Sequence, residues 1–241
     1  MEIAQRSAAY FREHGRPFPW RQERDPFRLA VAEILLQKTR AANVVDVYRD
    51  LTSAYPTAGA LSRATHATLE SLLTPLGLSR KRAAQLIGMA LTVEAGGSDA
   101  LRDWRAVSSG VPGLGAYGAR AIACFGYGEA VGLVDANIAR ILRRVFRTPT
   151  RDPRAIMFQR YADAIAETSE STRATFFGLL DLGAKVCTTS PLCDLCPLAD
   201  FCSYRRQRAR HRRAAFHASP FISRSNARRR SITCGGSSKN N

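Results

Sequence analysis

The sequence is short of acidic residues. It has 36 Lys and Arg against 20 Asp and Glu, so the formal net charge at pH 7 is +16. Residues 203–241 contain ten Arg and one Lys but no Asp or Glu, so this segment carries +11 and the rest of the chain carries +5. A basic excess of this size favours a polyanionic partner, most simply nucleic acid. The tail at 203–241 is expected to be either a disordered solubilising extension or an arm that holds DNA.

Long apolar runs are also missing. None approaches the ~20 residues that a membrane span needs, and the first residues of the chain contain no apolar signal core. We therefore expect a cytoplasmic protein that does not contact a membrane. In a reducing compartment its six cysteines are not expected to form structural disulfides.

Alternating apolar and polar segments bounded by hairpin turns, the pattern of β-strands, are absent too. Helical periodicity recurs instead, and it predicts an all-α fold with essentially no sheet. The helix that starts at Phe27 is apolar almost all round, which is typical of a buried helix, and Asp25 and Pro26 precede it as N-cap and first residue. The predicted helices are 4–14, 27–38, 43–54, 67–74, 80–95, 100–108, 117–127, 138–146, 156–168 and 172–186.

A glycine-rich turn, Val111-Pro112-Gly113-Leu114-Gly115, precedes one of these helices. Gly113 and Gly115 are expected to supply positive φ angles or a close backbone approach. The helix then directs its unpaired N–H groups and the positive end of its dipole toward the turn, which makes a phosphate site that reads no base sequence. Taken alone, the same turn is also an ordinary helix–helix connection.

Four cysteines, Cys187, Cys193, Cys196 and Cys202, follow the last of these helices with the spacing C-x5-C-x2-C-x5-C. Such a compact thiol loop suits a [4Fe–4S] cluster better than a zinc ribbon, which normally has two C-x2-C knuckles. Zinc and four free thiols remain the alternatives. Cys124 and Cys234 are expected to carry no chemistry, since free cysteine is commonly a small buried hydrophobe.

Together, the glycine-rich turn, Val134-Asp135-Ala136-Asn137 and the cysteine loop resemble the endonuclease III superfamily of helix-hairpin-helix DNA glycosylases. Phe18-Pro19-Trp20-Arg21 and the segment at 33–39 are similar to its mismatch-specific branch, which comprises adenine glycosylases and thymine or uracil glycosylases acting opposite guanine. The segment at 134–137 is more similar to the thymine–guanine members. Because few residues follow the cysteine loop, we expect no domain of the kind by which adenine glycosylases usually recognise oxidised guanine, and this expectation favours the thymine–guanine members.

The resemblance implies two helical lobes with a DNA cleft between them. One lobe would comprise residues 24–134 and contain the helix-hairpin-helix motif. The other would comprise 1–23 with 135–202 and carry the iron–sulfur cluster, followed by the basic tail at 203–241. The implied partner is double-stranded DNA containing a mismatch, bound by a monomer associated with the nucleoid.

Three residues are the candidate catalytic groups. Asp135 is expected to stabilise the oxocarbenium-like sugar that forms as the base leaves, although a lone Asp before a helix is usually only an N-cap. Glu33, on the buried helix, is expected to have a raised pKa and to act as a general acid, its alternative being a buried Glu with an Arg or backbone partner. Tyr117 stands where bifunctional relatives carry a Lys nucleophile, and a phenol cannot form an imine, which predicts an enzyme without lyase activity.

The candidate DNA contacts are Gln37, Gly113, Gly115 and Lys185. The resemblance implies that Gln37 fills the gap left by the extruded base, although an ordinary polar residue at a helix end would look the same. Three hypotheses follow: a thymine or uracil mismatch glycosylase, an adenine glycosylase acting opposite guanine or oxidised guanine, and a catalytically silent helix-hairpin-helix DNA-binding module.

Overall fold

The computed structural model describes residues 1–152 and 154–218 and confirms the all-helical prediction, because these residues form helices and turns but no strand. Ten helices follow the predicted pattern, with ends that differ by a few residues at most. Two more helices are new, α4 and α12. The helices are α1 Glu2–His14, α2 Pro26–Leu36, α3 Ala41–Ala54, α4 Ala58–Ser62, α5 His66–Leu73, α6 Ser79–Gly96, α7 Trp104–Gly110, α8 Ala116–Phe125, α9 Ala136–Phe146, α10 Ile156–Glu167, α11 Thr172–Lys185 and α12 Ser203–Ala218.

Residues 1–206 form one compact unit, and residues 207–241 are a second unit. Within the first unit, α2 packs against α3, α6 and α8, while α4 and α5 pack on α6 and α7 packs on α8. Helix α11 packs along α1 and also contacts α9 and α8. The division into lobes at residues 23/24 and 134/135 stays a prediction.

The centre of the core is α2, as its sequence indicates. Its side chains are buried on every face, with Ile34 and Leu35 wholly inaccessible to solvent. The predicted start is confirmed, because the Asp25 carboxylate accepts a hydrogen bond from the Phe27 backbone N–H at 2.9 Å and Pro26 occupies the first helical position. The helix ends at Leu36, two residues before the predicted end at Lys38, and Lys38 instead takes a left-handed conformation with φ of 55°.

Residues 203–218 differ from the expectation of an unstructured tail, because they form the basic helix α12. Ala, Arg and Gln are good helix formers, so the high charge of this segment does not prevent it from folding locally. The rest of the predicted tail, with Cys234, lies outside the described residues. Among the residues that the structure describes, no helix is long and apolar enough to cross a membrane.

Helices α1 and α11 approach each other at Gly178. A Cβ atom placed on this glycine would lie 1.9 Å from the backbone oxygen of Ser7, which is far inside van der Waals contact. The backbones must therefore separate if any side chain is added. Gly178 is needed for close packing and not for an unusual backbone angle.

We expect Gly178→Ala to lower the free energy of unfolding by about 1–3 kcal/mol or more, since overpacking forces backbone shifts. Gly110→Ala is the matched control, because a Cβ at Gly110 on α7 would meet no atom within 4 Å. Urea unfolding of both variants measures the difference. Equal stability of the two variants would contradict this account of the α1–α11 contact.

Candidate active site

The glycine-rich turn joins α7 to α8. Gly113 has φ of 82°, and a Cβ there would lie 2.9 Å from Cβ of Gln85 and 3.1 Å from Cδ1 of Ile34, so glycine is required on both grounds. The expectation for Gly115 is wrong. This residue has φ of −85°, and a Cβ would meet nothing within 4 Å. Gly115 is the N-cap of α8, where no side chain caps the helix.

Asp135 is the N-cap of α9, and both of its carboxylate oxygens accept hydrogen bonds. Oδ1 accepts from the backbone N–H of Ile138 at 2.7 Å, and Oδ2 accepts from Nδ2 of Asn137 at 2.9 Å. The capping interpretation is therefore correct. It does not exclude a second role, because the side chain is only partly buried and lines a cavity.

This cavity of about 370 Å³ lies between the segment before α2, helices α2, α8 and α11, and the start of α9. Four of the predicted site residues line it: Glu33, Gln37, Tyr117 and Asp135. The other lining residues are mostly apolar or aromatic and include Phe18, Trp20, Leu29, Ala32, Leu36, Phe125, Phe177 and Leu180. Phe18 and Trp20 stack on each other with ring centroids 5.0 Å apart. The segment Phe18-Pro19-Trp20-Arg21, which carries part of the resemblance, therefore forms one wall of this cavity.

Two of the lining groups are held in their neutral forms. Burial raises the pKa of Glu33 from its ordinary 4.5 to about 8, and the opposing effect of the nearby Arg21 charge is smaller. Burial also raises the pKa of Tyr117 well above 10, and the negative charges of Glu33 and Asp135 add to that effect. Near neutral pH the cavity thus contains a carboxylic acid and a phenol, both able to donate a proton in a hydrogen bond.

Sequence reasoning missed Arg21, whose guanidinium also lines the cavity and is 8% exposed. Its Nη2 donates to Oδ1 of Asp181 at 3.0 Å, while its Nε and Nη1 are buried and have no hydrogen-bond partner among the described residues. The guanidinium lies 4.1 Å from the ring centroid of Phe177. Burial lowers the pKa of Arg21 to about 10, so it remains charged near neutral pH. The positive charge of Arg21 at the cavity wall favours a ligand that carries negative charge or electron-rich oxygens.

Asp181 holds the Arg21 guanidinium in place. It is wholly buried, and its carboxylate accepts from the Arg16 backbone N–H at 2.9 Å, from Arg16 Nε at 2.6 Å and from Arg21. These bonds join the segment before α2 to α11, which is some 160 residues away in the chain. No local sequence pattern signals such a pairing.

Of the predicted DNA contacts, Gly113, Gly115 and Lys185 lie outside the cavity lining, whereas Gln37 is part of it. Gln37 reaches from the lining toward the turn, where its Nε2 donates to the backbone oxygen of Gly113 at 2.6 Å. Lys185 is exposed at the end of α11, and its Nζ donates to the backbone oxygen of His14 at 3.1 Å. The roles of Gln37, Gly113, Gly115 and Lys185 toward DNA stay predictions.

The four cysteines of the predicted metal site line one small pocket with Arg144. Arg144 Nη1 donates to Cys187 Sγ at 3.2 Å, and its guanidinium also contacts the backbone oxygens of Thr188 and Thr189. Among the described residues, no three or more Cys, His, Asp or Glu side chains are arranged to hold a single metal ion. An all-thiol donor set spread around a pocket and faced by a guanidinium fits an iron–sulfur cluster.

A chain of hydrogen bonds connects the two sites through α9. Asn137, which donates to Asp135, accepts from Arg140 Nη2 at 2.7 Å. Arg140 in turn donates from Nε to the backbone oxygen of Cys187 at 2.7 Å and from Nη2 to that of Gly183 at 2.8 Å. The backbone of the cysteine loop is thus tied to the residue that orients Asp135.

Two family models match the chain. Residues 31–166 match the HhH-GPD superfamily base excision DNA repair protein, and residues 189–202 match the iron–sulfur binding domain of endonuclease III. The second match includes three of the four clustered cysteines, Cys193, Cys196 and Cys202.

Curated relatives carry two kinds of name. The thymine-DNA glycosylase of Aeropyrum pernix is 33% identical over 199 residues, which cover 79% of this chain and 88% of that protein. The adenine DNA glycosylase of Mycobacterium tuberculosis is 33% identical over 191 residues, which cover 78% of this chain and 62% of that protein.

A solved structure of a thermostable thymine-DNA glycosylase superposes with a TM-score of 0.78 at 27% identity, covering 85% of this chain and 95% of that one. The first family match includes the glycine-rich turn and Asp135, and its residues 31–166 cover more than half of the sequence. The chain therefore belongs to the HhH-GPD superfamily of base excision DNA repair proteins.

Proposed function

We propose that this protein is a monofunctional DNA glycosylase that hydrolyses the N-glycosidic bond of thymine or uracil opposite guanine. Its superfamily and its relatives' names support base-excision glycosylase activity as the broader class. The observation that carries the specific proposal is that Asp135, Glu33, Tyr117 and Arg21 face one cavity that could receive an extruded nucleotide.

The reaction breaks the bond between C1′ of the sugar and the base nitrogen, and the departing base takes the electron pair. Positive charge develops on the sugar, and water then adds its oxygen to C1′ and releases a proton. Asp135 is the group that stabilises this charge. Because Ile138 and Asn137 already hold its two oxygens, the carboxylate does not have to reorganise as the charge forms.

The departing base is stabilised by Glu33 and Arg21. Thymine and uracil can leave as anions whose negative charge lies partly on carbonyl oxygens, which accept hydrogen bonds. The neutral Glu33 can donate a hydrogen bond to those oxygens, and the positive charge of Arg21 stabilises the negative charge on them. The names of the thymine and thymine/uracil relatives agree with this choice.

An adenine glycosylase is the second candidate. Adenine leaves most easily after protonation, and Glu33, with a pKa of about 8, could supply that proton. Relatives named adenine DNA glycosylase support this alternative. Adenine has no carbonyl oxygen for Arg21, which is why we place it second.

Tyr117 supports hydrolysis without strand cleavage. A β-lyase of this kind needs an amine that attacks C1′ and forms an imine, and Tyr117, which we place against the extruded nucleotide, carries a phenol. The glycine-rich turn with Gly113 and Gly115 would bind a phosphate through backbone N–H groups, and Lys185 would contact another. A monomeric, cytoplasmic protein bound to mismatched duplex DNA remains our expectation.

We further propose that Cys187, Cys193, Cys196 and Cys202 hold a [4Fe–4S] cluster. When bound, such a cluster supplies a rigid cross-link among four points of the loop and a redox centre. In this protein we assign the structural role, because Arg140 and Arg144 connect the loop to α9 and hence to Asp135.

Asp135→Asn should lower single-turnover base release by at least about 100-fold, since it removes the charge that stabilises the sugar cation. Asn is also a good N-cap, so the stability of α9 should change little. The measurement uses end-labelled G·T, G·U, G·A and A·oxidised-guanine duplexes, followed by alkali to cut abasic sites. We expect cleavage of the G·T and G·U duplexes after alkali and no strand cut without it.

Asp103→Asn is the matched control, because Asp103 caps α7 in the same way, accepting from the Arg105 backbone N–H at 2.9 Å, but does not line the cavity. Release of adenine alone would favour the second candidate. Binding without release from any duplex would leave only the silent DNA-binding module. Full activity of Asp135→Asn would overturn the catalytic assignment, and an alkali-independent nick would overturn the absence of lyase activity.

The rate of base release should fall as the pH rises through about 8, because Glu33 then loses the proton that it donates. Glu33→Gln keeps a hydrogen-bond donor but cannot ionise, so this alkaline limb should disappear from its pH profile. The free energy of unfolding should also fall as the pH rises. The folded pKa of Glu33 lies above the ordinary value, so between about pH 4.5 and 8 only the unfolded chain loses this proton, and the free energy of unfolding falls progressively over that range. An unchanged alkaline limb in Glu33→Gln would exclude Glu33 as its source.

The purified protein should contain about four iron atoms and four acid-labile sulfides per chain and absorb broadly in the visible range. Cys193→Ser should lose most of this iron. Cys124→Ser should retain it, because Cys124 is buried in α8, outside the loop. Stoichiometric zinc without sulfide would contradict the proposed cluster.

A further inference from the structure

Arg82 is the most buried charged residue of the α2–α6 contact, with 2% of its surface exposed. Its Nη1 donates to the backbone oxygen of Leu76 at 2.8 Å and to that of Gly77. Its Nη2 donates to the backbone oxygen of Gln37 at 2.5 Å and to Oγ1 of Thr39 at 2.6 Å. One side chain thus binds two turns that are about 40 residues apart in sequence.

No carboxylate pairs with Arg82 in the part of the chain that the structure describes, and burial lowers the pKa of its guanidinium. A buried cation without a counterion is retained only where hydrogen bonds compensate its desolvation. Here the compensation comes from three carbonyls and one hydroxyl, all of which belong to the two turns. The Arg82 guanidinium therefore links the two turns by hydrogen bonds and does not form an ion pair with any described residue.

Both turns contain a residue that needs such support. Lys38 has φ of 55° and Leu78 has φ of 52°, and they are two of the three non-glycine residues with positive φ in the described chain. This conformation is disfavoured for residues with a Cβ and persists where the surroundings fix it. The two side chains are exposed, so packing of their own does not hold them in place.

The turn at 37–39 forms part of the cavity lining. Gln37 and Thr39 both line the cavity, and Gln37 also donates to the backbone oxygen of Gly113 in the glycine-rich turn. Hydrogen bonds thus connect three turns, at 37–39, 76–78 and 111–115, at one edge of the cavity. Arg82 lies beside this edge but does not line the cavity itself.

We propose that Arg82 is a positioning residue for base extrusion: by binding both turns it fixes Gln37 where the base leaves the duplex. The inference rests on the proposed function. Arg82 does not touch the nucleotide and acts only through Gln37. The planar, forked guanidinium is what permits this, because Nη1 serves one turn and Nη2 the other, whereas the single ammonium of Lys cannot reach both.

The test follows extrusion separately from bond cleavage. 2-Aminopurine placed beside the mismatched base in a G·U duplex fluoresces more strongly when its neighbour unstacks, so stopped-flow mixing gives an extrusion rate that does not require glycosylase activity. Arg82→Lys should slow extrusion by about tenfold, because the ammonium cannot hold both turns and the turn at 37–39 would lose its bonds to Gln37 O and Thr39 Oγ1. Arg63→Lys is the control, because Arg63 is an exposed residue that pairs with Glu94 on the far end of α6.

A double-mutant cycle tests whether Arg82 acts through Gln37. If it does, Gln37→Ala and Arg82→Lys combined should slow extrusion by no more than about twofold beyond Gln37→Ala alone. Effects that multiply would overturn the proposal, as would an unchanged extrusion rate in Arg82→Lys. A general loss of folding would produce multiplied effects and would also show in the unfolding transition.

Thr39→Val provides a milder variant should Arg82→Lys not fold. It leaves Arg82 in place and removes one acceptor, so extrusion should slow by about threefold and again add little to Gln37→Ala. A Thr39→Val protein with a normal extrusion rate would then count against the proposal. If the unmodified protein extrudes the base but releases none from any duplex, the proposed function fails, while the role of Arg82 is still decided.

Discussion

The arrangement of the candidate site depends on the Asp135 carboxylate, which caps α9 and which, in the proposed function, also stabilises the sugar cation. Asp135 ends an extended segment and starts α9, so the same two hydrogen bonds that begin the helix also fix the direction of the charge. The helix itself cannot shift freely, because Gly183 of α11 lies so close that a Cβ would be 2.6 Å from Cβ of Asn137. A structural cap and a catalytic charge therefore need not compete for one residue.

Burial around the cavity has opposite effects on neighbouring groups. It raises the pKa of Glu33 and lowers that of Arg21, since each loses solvent around its charged form. Arg21 keeps its charge because Asp181 supports it from behind, and Asp181 is itself held by Arg16. The result is a neutral acid and a cation on one cavity wall, a combination that a water-filled cleft would not maintain at neutral pH.

Local signals in the sequence were enough for ten of the twelve described α-helices, whereas the candidate site residues came from the family resemblance. The apolar run of α2, its Asp25–Pro26 start and the glycine at 113 each follow from backbone and burial rules. Gly115 was misjudged because a glycine at an N-cap looks the same in sequence as one with positive φ. The pairing of Arg21 with Asp181 could not be predicted, because it depends on where α11 comes to lie beside the segment before α2.

The cysteine loop and the cavity are connected in the structure, although we propose different functions for them. Arg140 and Arg144 project from α9 to the backbone and sulfur of Cys187, and α9 begins at Asp135. Movement of the loop would thus displace the arginines first and then Asn137, which bonds both Arg140 and the carboxylate. In the proposed reaction, a shift of a few tenths of an ångström at Asp135 would weaken its interaction with the sugar, because charge stabilisation of this kind depends on preorganised geometry. The proposed cluster would therefore be necessary for the proposed base release even without a chemical role of its own.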